Sequence, residues 1–169
     1  LLSRFYDLTG GAVYIDGNDI SKVTLHSLRE KMGIMMQDSF IFSGTIEDNI
    51  RYGKLDATEE EIRAAAKTVC ADEFIMGLEN GYKTEMYEGG SQLSGGQRQL
   101  VSFARTLISD PKILILDEAT SSIDAKTEKE LQKGLQELLK GRTSFIIAHR
   151  LSTIKNCDKI MFISNKGIT

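Results

Sequence analysis

The sequence contains little cysteine and little proline, and it has no tryptophan. Its two cysteines, Cys70 and Cys157, lie far apart and form no CxxC pair. This spacing argues against a disulfide framework or a zinc site and favours a reduced, cytosolic setting. A single proline and 41% hydrophobic residues are typical of a globular chain. The longest apolar runs, such as ILIL, hold about four residues, which is too few to cross a bilayer.

The sequence also lacks an excess of positive charge and a phosphate-binding GxxxxGK[ST] loop. Its 21 lysines and arginines are offset by 24 aspartates and glutamates, which gives a net charge of −3. This balance provides no broad attraction for nucleic acid or for an acidic membrane surface. The missing loop leaves open whether the chain is a whole enzyme, a binding module or a piece of something larger.

Both ends of the sequence differ from the polar linkers at which domains usually start and finish. The first residues, LLSRFYD, resemble the middle of a helix without a cap, and the last, KIMFISNKGIT, stop just after a predicted strand. At 169 residues, the length suggests about one domain. We expect a single domain that is cut at both ends.

Hydrophobic periodicity predicts helices in three segments. The segment DATEEEIRAAAKTV offers Asp56 or Thr58 as a cap and places acids in its first turn. From Gln97 onward an apolar stripe recurs at helical spacing and stops before Pro111. The third segment, TEKELQKGLQELL, is amphipathic and ends near Gly141. We therefore predict that most of the region 45–105 consists of helices and loops.

Five short segments predict strands, and the first of them, AVYI, runs into a tight turn at an Asp-Gly pair. The segment MGIMMQD predicts a strand that ends at Gln37, and KILILDEA predicts one that is buried on both faces. SFIIAHR and KIMFIS predict two more buried strands, with a helical STIKN between them. Strands that alternate with helices indicate an α/β fold with a parallel sheet, and the helical region 45–105 reads as a subdomain inserted between its strands.

Polar residues follow three of these predicted strands: Gln37, then Asp117 and Glu118, then His149. Ligands of parallel sheets bind beyond the carboxyl ends of the strands. An aspartate there can hold magnesium, and a second carboxylate can orient or deprotonate a water molecule. Each residue also has a structural interpretation, because the two acids could cap the next helix and His149 could simply be hydrogen-bonded.

The stretch QLSGGQRQL places a hydroxyl and two glycines at the start of a predicted helix. Exposed amides and the positive end of the helix dipole make such a terminus suitable for a phosphate. Ser94, Gly95 and Gly96 could equally form an ordinary capped helix start after a flexible loop.

Taken together, the motifs resemble one family. LSGGQRQLVSFARTL, ILILDEATSSID and IIAHRLSTI occur in this order, MMQDSFIFSGTIEDNI precedes them, and the resemblance covers essentially the whole chain. The sequence is similar to the ATP-binding cassette (ABC) domain of ABC transporters, and to exporters in particular. The resemblance implies a P-loop NTPase core sheet with an inserted helical subdomain. Residues 1–43 and 106–169 would belong to the core, and residues 44–105 to the helical subdomain.

The resemblance implies a role for each residue at the strand ends. Asp117 would end the Walker B strand and support Mg²⁺, and Glu118 would polarise the water that attacks ATP. Gln37 would be the Q-loop residue, which contacts Mg²⁺ and senses the membrane domain. His149 would be the switch histidine near the γ-phosphate.

The resemblance further implies contacts with a partner. The D-loop, from Ser121 to Asp124, would cross between subunits. Its SSID differs mildly from the commoner SALD and should leave Asp124 in place. The signature loop, which consists of Ser94, Gly95, Gly96 and Gln97, would face the nucleotide held by a second nucleotide-binding domain in a head-to-tail dimer. Tyr87 stands where exporters usually carry glycine, so its contact with the membrane domain is an open question.

The resemblance places the parent protein at the cytoplasmic face of a membrane, joined to transmembrane domains and without a nucleic-acid partner. It also implies that the Walker A segment is missing, together with the strand that would lie beside ILILD. We therefore expect the Walker B strand to expose unpaired backbone groups, and the chain alone to bind or hydrolyse ATP poorly.

Two other functions remain as alternatives to an exporter ATPase. The first is a non-catalytic ABC-like half-site that lends its signature loop to a partner. Glu118 and His149 argue against it, because such a half-site has no chemical need of them. The second is a soluble ABC ATPase that acts on DNA or ribosomes, and the absence of basic patches argues against it.

Overall fold

In the computed structural model, helices and short strands alternate along the chain. The structure describes residues 1–36, 39–117, 125–147, 155, 157–164 and 167–168. In the described part, the α-helices are α1 Leu25–Glu30, α2 Ile46–Arg51, α3 Glu59–Thr68, α4 Asp72–Met76, α5 Gly95–Ile108 and α6 Ala125–Leu139. The strands are β1 Tyr14–Ile15, β2 Asn18–Asp19, β3 Met32–Met35, β4 Gly44–Thr45, β5 Glu85–Met86, β6 Ile113–Asp117, β7 Thr143–Ile147, β8 Ile163–Ser164 and β9 Gly167–Ile168. Single-turn 3-10 helices are Ile20–Lys22, Gly81–Lys83 and Glu88–Gly90.

The central sheet is parallel and has the strand order β3-β6-β7. Its register places Met35 opposite Leu116 and Asp117 opposite Ile147. The α/β fold with a parallel sheet, expected from the alternation of strands and helices, is confirmed. The Asp-Gly turn is also confirmed: β1 and β2 form an antiparallel pair, and Asp16 and Gly17 between them both have positive φ.

The prediction that the Walker B strand exposes unpaired backbone groups is wrong. That strand is β6, and it is hydrogen-bonded to β3 on one side and to β7 on the other. The outer positions belong to β3 and β7, each of which pairs only with β6 among the described strands. The expectation was wrong because the apolar residues of a strand indicate that the strand is buried but do not indicate which strands pair with it.

Burial of the strands also differs from expectation. β6 buries Leu114 and Leu116 on one face, whereas the other face is only half-buried. β7 alternates between exposed and half-buried residues because it lies at the edge of the described sheet. The predicted buried strand KIMFIS is wrong as well, since Ile160 to Ile163 are all exposed and only Ile163–Ser164 forms a short strand. The predicted helix STIKN lies mostly outside the described residues.

The main hydrophobic core joins the helices to one face of the sheet. The predicted inward stripe of α6 is confirmed by the burial of Leu131 and Leu138, and Leu100 of α5 is fully buried beside it. The predicted inward face of α3 is confirmed by four buried side chains: Ile62, Ala65, Ala66 and Val69. A smaller cluster around Ile20, Leu28 and Met32 packs the first residues against the other end of β3.

Candidate functional site

Three parallel strands bring their carboxyl ends to one edge of the sheet. β3 ends at Met35, shortly before Gln37, and β6 ends at Asp117, directly before Glu118. β7 ends at Ile147, shortly before His149. This is the edge at which open parallel sheets bind their ligands.

Most of the predicted residues at this edge lie outside the described residues, namely Gln37, Glu118, Ser121, Asp124 and His149. Asp117 is described: it is the last residue of β6, it is half-buried, and it lies opposite Ile147 in the register. A carboxylate at the end of a central strand fits the oxygen ligands that Mg²⁺ prefers. The roles of these six residues stay predictions.

The start of helix α5 forms a capping box. The hydroxyl of Ser94 accepts a hydrogen bond from the Gln97 amide at 3.2 Å, and the side-chain oxygen of Gln97 accepts one from the Ser94 amide at 3.0 Å. Ser94 adopts an extended conformation before the helix, as N-cap residues do. The helix therefore begins at Gly95, two residues earlier than the apolar stripe predicts.

The capping box uses the amides of Ser94 and Gln97 and does not use those of Gly95 and Gly96. These are the first two helical positions, where no intrahelical acceptor exists, and no acceptor for either amide is found in the described part of the chain. Ser94 and Gly95 are exposed, whereas Gly96 is buried. A Cβ atom on Gly95 would meet only Arg98 Nη2, at 3.9 Å, so nothing in the chain itself crowds this position. Open amides at a positive helix end fit the oxygens of a phosphate.

Arg98 braces the loop that leads into this helix. Its Nη1 donates to the carbonyl oxygen of Leu93 at 2.8 Å, and Leu93 is buried. The amide of Leu93 in turn donates to the carbonyl oxygen of Gly90 at 3.0 Å. Sequence reasoning did not single out Arg98, because an arginine on the polar side of a helix gives no signal of an inward contact.

Phe40, Phe42 and Tyr52 form an exposed aromatic surface. Phe40 and Phe42 lie between the end of β3 and helix α2, and Tyr52 directly follows α2. The rings of Phe40 and Phe42 are in edge contact at 5.1 Å, and those of Phe42 and Tyr52 lie 4.7 Å apart. The three residues are 47%, 38% and 61% exposed. The carbonyl oxygen of Ile41 accepts from the Gly89 amide at 2.9 Å, which links this surface to the segment that carries the exposed Tyr87.

Within the described ranges, no helix combines the length and the apolar character that a membrane span requires.

Comparisons with known proteins agree on one family. The sequence model described as "ABC transporter" matches residues 1–121. The ABC transporter ATP-binding protein YknV of Bacillus subtilis is 56% identical over 98% of this chain. An "ATP-dependent lipid A-core flippase" of Desulfotalea psychrophila is 53% identical over 99% of it. This chain spans only 27% and 29% of the length of these two relatives.

A solved structure gives the same result. The structure of a bacterial Atm1-family ABC exporter with ATP bound has a TM-score of 0.83 and 47% sequence identity over 92% of this chain, which covers 27% of that chain.

The parallel sheet and the capped helix start at Ser94 agree with the ATP-binding domain of this family. The chain belongs to the ABC transporter family, and its fold is that of part of the family's ATP-binding domain.

Proposed function

We propose that this chain is the central and C-terminal part of the ATP-hydrolysing domain of an exporter. In this proposal residues 1–43 and 106–169 belong to the ATP-binding core, and residues 44–105 form the helical subdomain. The observation that carries the proposal is the capped start of α5, where the exposed Gly95 offers its amide to a phosphate. The lipid A-core flippase and the Atm1-family exporter among the similar proteins support transport as the purpose.

In the proposed site, the residues at the carboxyl ends of the strands bind the metal ion and activate water. Asp117 would support Mg²⁺, Glu118 would polarise the attacking water, and Gln37 and His149 would contact the metal and the γ-phosphate respectively. Mg-ATP, when bound, would supply the phosphoanhydride bond whose hydrolysis is coupled to transport. A carboxylate that accepts a proton from water contributes about 10²–10⁴-fold to such a reaction.

The amides at the start of α5 would serve a second nucleotide-binding domain. In the proposed head-to-tail dimer, Gly95 and Gly96 donate to the γ-phosphate held by the partner, with Ser94 beside them. The D-loop from Ser121 to Asp124 would lie at the same interface. The open space above Gly95 supports this arrangement, because the fold of the chain itself does not demand glycine there.

The P-loop would come from residues outside this sequence, which contains no GxxxxGK[ST] segment. The chain spans about a quarter of its relatives, with 27% of YknV covered, so the intact protein would have room for it and for transmembrane domains. We propose that the aromatic surface of Phe40, Phe42 and Tyr52 receives the transmembrane part, at the cytoplasmic face of the membrane. Exposed rings of this kind mark interaction sites.

Calorimetry with Mg-ATP tests the assignment of the nucleotide site. It compares this chain with a chain extended upstream by a P-loop segment. We expect tight binding only by the extended chain, because the lysine that grips the β- and γ-phosphates is absent here. Tight binding by the short chain would mean that the phosphate is held elsewhere, and the site would have to be reassigned.

The substitution Ser94→Arg tests the role of the α5 terminus. In the extended chain carrying Glu118→Gln, which slows hydrolysis, we expect Ser94→Arg to abolish ATP-driven dimers, because the long side chain fills the space for the partner's phosphate. ATP binding by the monomer should stay within about twofold, since binding and dimerisation use different groups. Sedimentation velocity with and without ATP measures both species.

Ser94→Ala is the matched control, because it removes the same cap without adding bulk. It should cost about 1 kcal/mol of helix stability and still permit dimers. Normal dimerisation of Ser94→Arg would contradict the proposed contact. Loss of dimers in both variants would indicate that dimerisation depends on the Ser94 cap and not on the open space beside it.

A further inference from the structure

Arg105 connects helix α5 to a distant segment of the chain. Its Nε donates to the carbonyl oxygen of Asn49 at 2.7 Å, and its Nη2 donates to Asn49 Oδ1 at 2.8 Å. Its Nη1 donates to the carbonyl oxygen of Phe40 at 2.9 Å. The guanidinium carbon also lies 5.0 Å from the centre of the Phe42 ring. One side chain of α5 therefore contacts both α2 and the aromatic surface.

Asn49 completes this connection from the side of α2. Only 2% of Asn49 is exposed. Its Nδ2 donates to the carbonyl oxygens of Phe42 and Thr45 at 2.9 and 3.0 Å, and its Oδ1 accepts from the Phe42 amide at 2.9 Å. A buried amide with this many partners holds its neighbours in one arrangement.

The segment Phe40–Phe42 depends on these side chains, because it belongs to no helix and no strand. Its backbone groups at Phe40 and Phe42 bond to Arg105 and Asn49, and the side chain of Ile41 is fully buried. The polar partners of Arg105 are carbonyl oxygens, and no carboxylate pairs with it in the described part of the chain. The fork of donors on arginine suits three acceptors in different directions, which a lysine cannot match.

We propose that Arg105, together with Asn49, is a positioning residue that makes the aromatic surface and helix α5 move as one body. A displacement of Phe40 and Phe42 would then carry the α5 terminus, with Ser94 and Gly95, in the same direction. Helix α5 is continuous from Gly95 to Ile108, so a displacement of Arg105 near its C-terminal end also displaces its N-terminal end. This inference rests on the proposed function, in which the surface receives the transmembrane part and the terminus receives a phosphate.

Hydrogen–deuterium exchange of this chain tests the positioning role directly. We expect Arg105→Met to speed exchange of the Phe42 amide and its neighbours in residues 39–45 by about tenfold, since the hydrogen bonds from Arg105 that hold this segment are lost. Exchange in β6 should not change. Arg105→Lys, which keeps the charge and is expected to fold, should restore less than half of the lost protection.

Arg142→Met is the matched control. Arg142 also donates to backbone carbonyl oxygens, those of Pro111 and Leu138 at 3.0 and 2.9 Å, but at the opposite end of the central sheet. We expect Arg142→Met to leave hydrogen–deuterium exchange in residues 39–45 unchanged. Unchanged exchange at 39–45 in both Arg105 variants, or an equal rise throughout the chain, would overturn the proposal.

ATP hydrolysis by the intact transporter then tests the consequence. We expect Arg105→Lys to lower kcat for Mg-ATP by about tenfold, with KM for ATP within about twofold, because the residue acts on the α5 terminus and not on the P-loop that would hold the nucleotide. A normal kcat with faster exchange at 39–45 would refute the transmission of movement but leave the proposed ATPase function intact. A wild-type protein without ATPase activity would refute the proposed function, and the exchange result would still decide the positioning role.

Discussion

A methyl group on Gly53 would overlap the carbonyl oxygen of Arg105 and would lie 2.9 Å from the side chain of Ile108. Gly53 follows α2 at the point where the backbone touches α5. We expect Gly53→Ala to lower the free energy of unfolding by about 1–3 kcal/mol, because the helix backbone cannot move aside without loss of packing. Urea unfolding measures the change.

Gly10→Ala is the control for this substitution, because nothing lies within 4 Å of a Cβ atom there. It should change stability by at most about 0.5 kcal/mol. Equal effects of the two substitutions would show that the contact between Gly53 and Arg105 is not tight in solution.

At the residue scale, the sequence could single out Gly95 but not Gly53. Gly95 lies in a motif, although the chain's own packing does not require a glycine there. Gly53 is required by packing and lies in no motif. The role of Arg105 was not predicted either, because its partners Asn49 and Phe40 lie 56 and 65 residues away in the sequence. A contact between distant residues leaves no local pattern.

Helix α3 begins with a capping box of its own. The Thr58 hydroxyl accepts from the Glu61 amide at 3.2 Å, and the Glu61 carboxylate accepts from the Thr58 amide at 2.9 Å. We expect Thr58→Ala to destabilise the chain by about 1 kcal/mol, since it leaves a helix amide without its acceptor. Thr58→Ser keeps the hydroxyl and should retain most of the stability. If Thr58→Ser lost as much stability as Thr58→Ala, the methyl group of Thr58, and not the hydrogen bond of its hydroxyl, would be what stabilises the helix.

At the element scale, local signals predicted the helices better than the sheet. The sequence offers Asp56 or Thr58 as the cap of α3, and the structure selects Thr58. The amphipathic pattern of α6 follows from the sequence, because it involves residues three or four positions apart. The position of β6 between β3 and β7 does not, because pairing partners lie far away in the chain. The exposure of KIMFIS shows the same limit, since an apolar run becomes buried only where another element covers it.

A buried acid gives the whole molecule a defined response to pH. Only 6% of Glu47 is exposed, and burial alone would raise the pKa of its carboxyl. Hydrogen bonds from Lys83 and Arg51 outweigh burial and hold the pKa of Glu47 below its ordinary value of 4.5. The unfolded chain therefore binds more protons than the folded chain as the pH falls below about 4.5, and this carboxylate stabilises the fold above that range.

We expect Glu47→Gln to lower stability at pH 7 and to narrow its difference from wild type as the pH falls below about 4.5. Urea unfolding between pH 7 and pH 3.5 measures the difference. Glu60→Gln, at an exposed acid of α3, is the control and should have little effect at any pH. Parallel pH profiles of wild type and Glu47→Gln would show that this ion pair does not stabilise the fold.

The sequence by itself determined the α/β class, the helices α3, α5 and α6, and the family, because these depend on residue types at short, fixed spacings. It also indicated the signature helix start from Ser94 to Gln97. Only the tertiary structure decided which strand is central, which glycines are crowded, and that Arg105 ties α5 to Phe40. These features arise where distant segments meet, and the free energy of such contacts depends on distances that no local pattern of residues encodes.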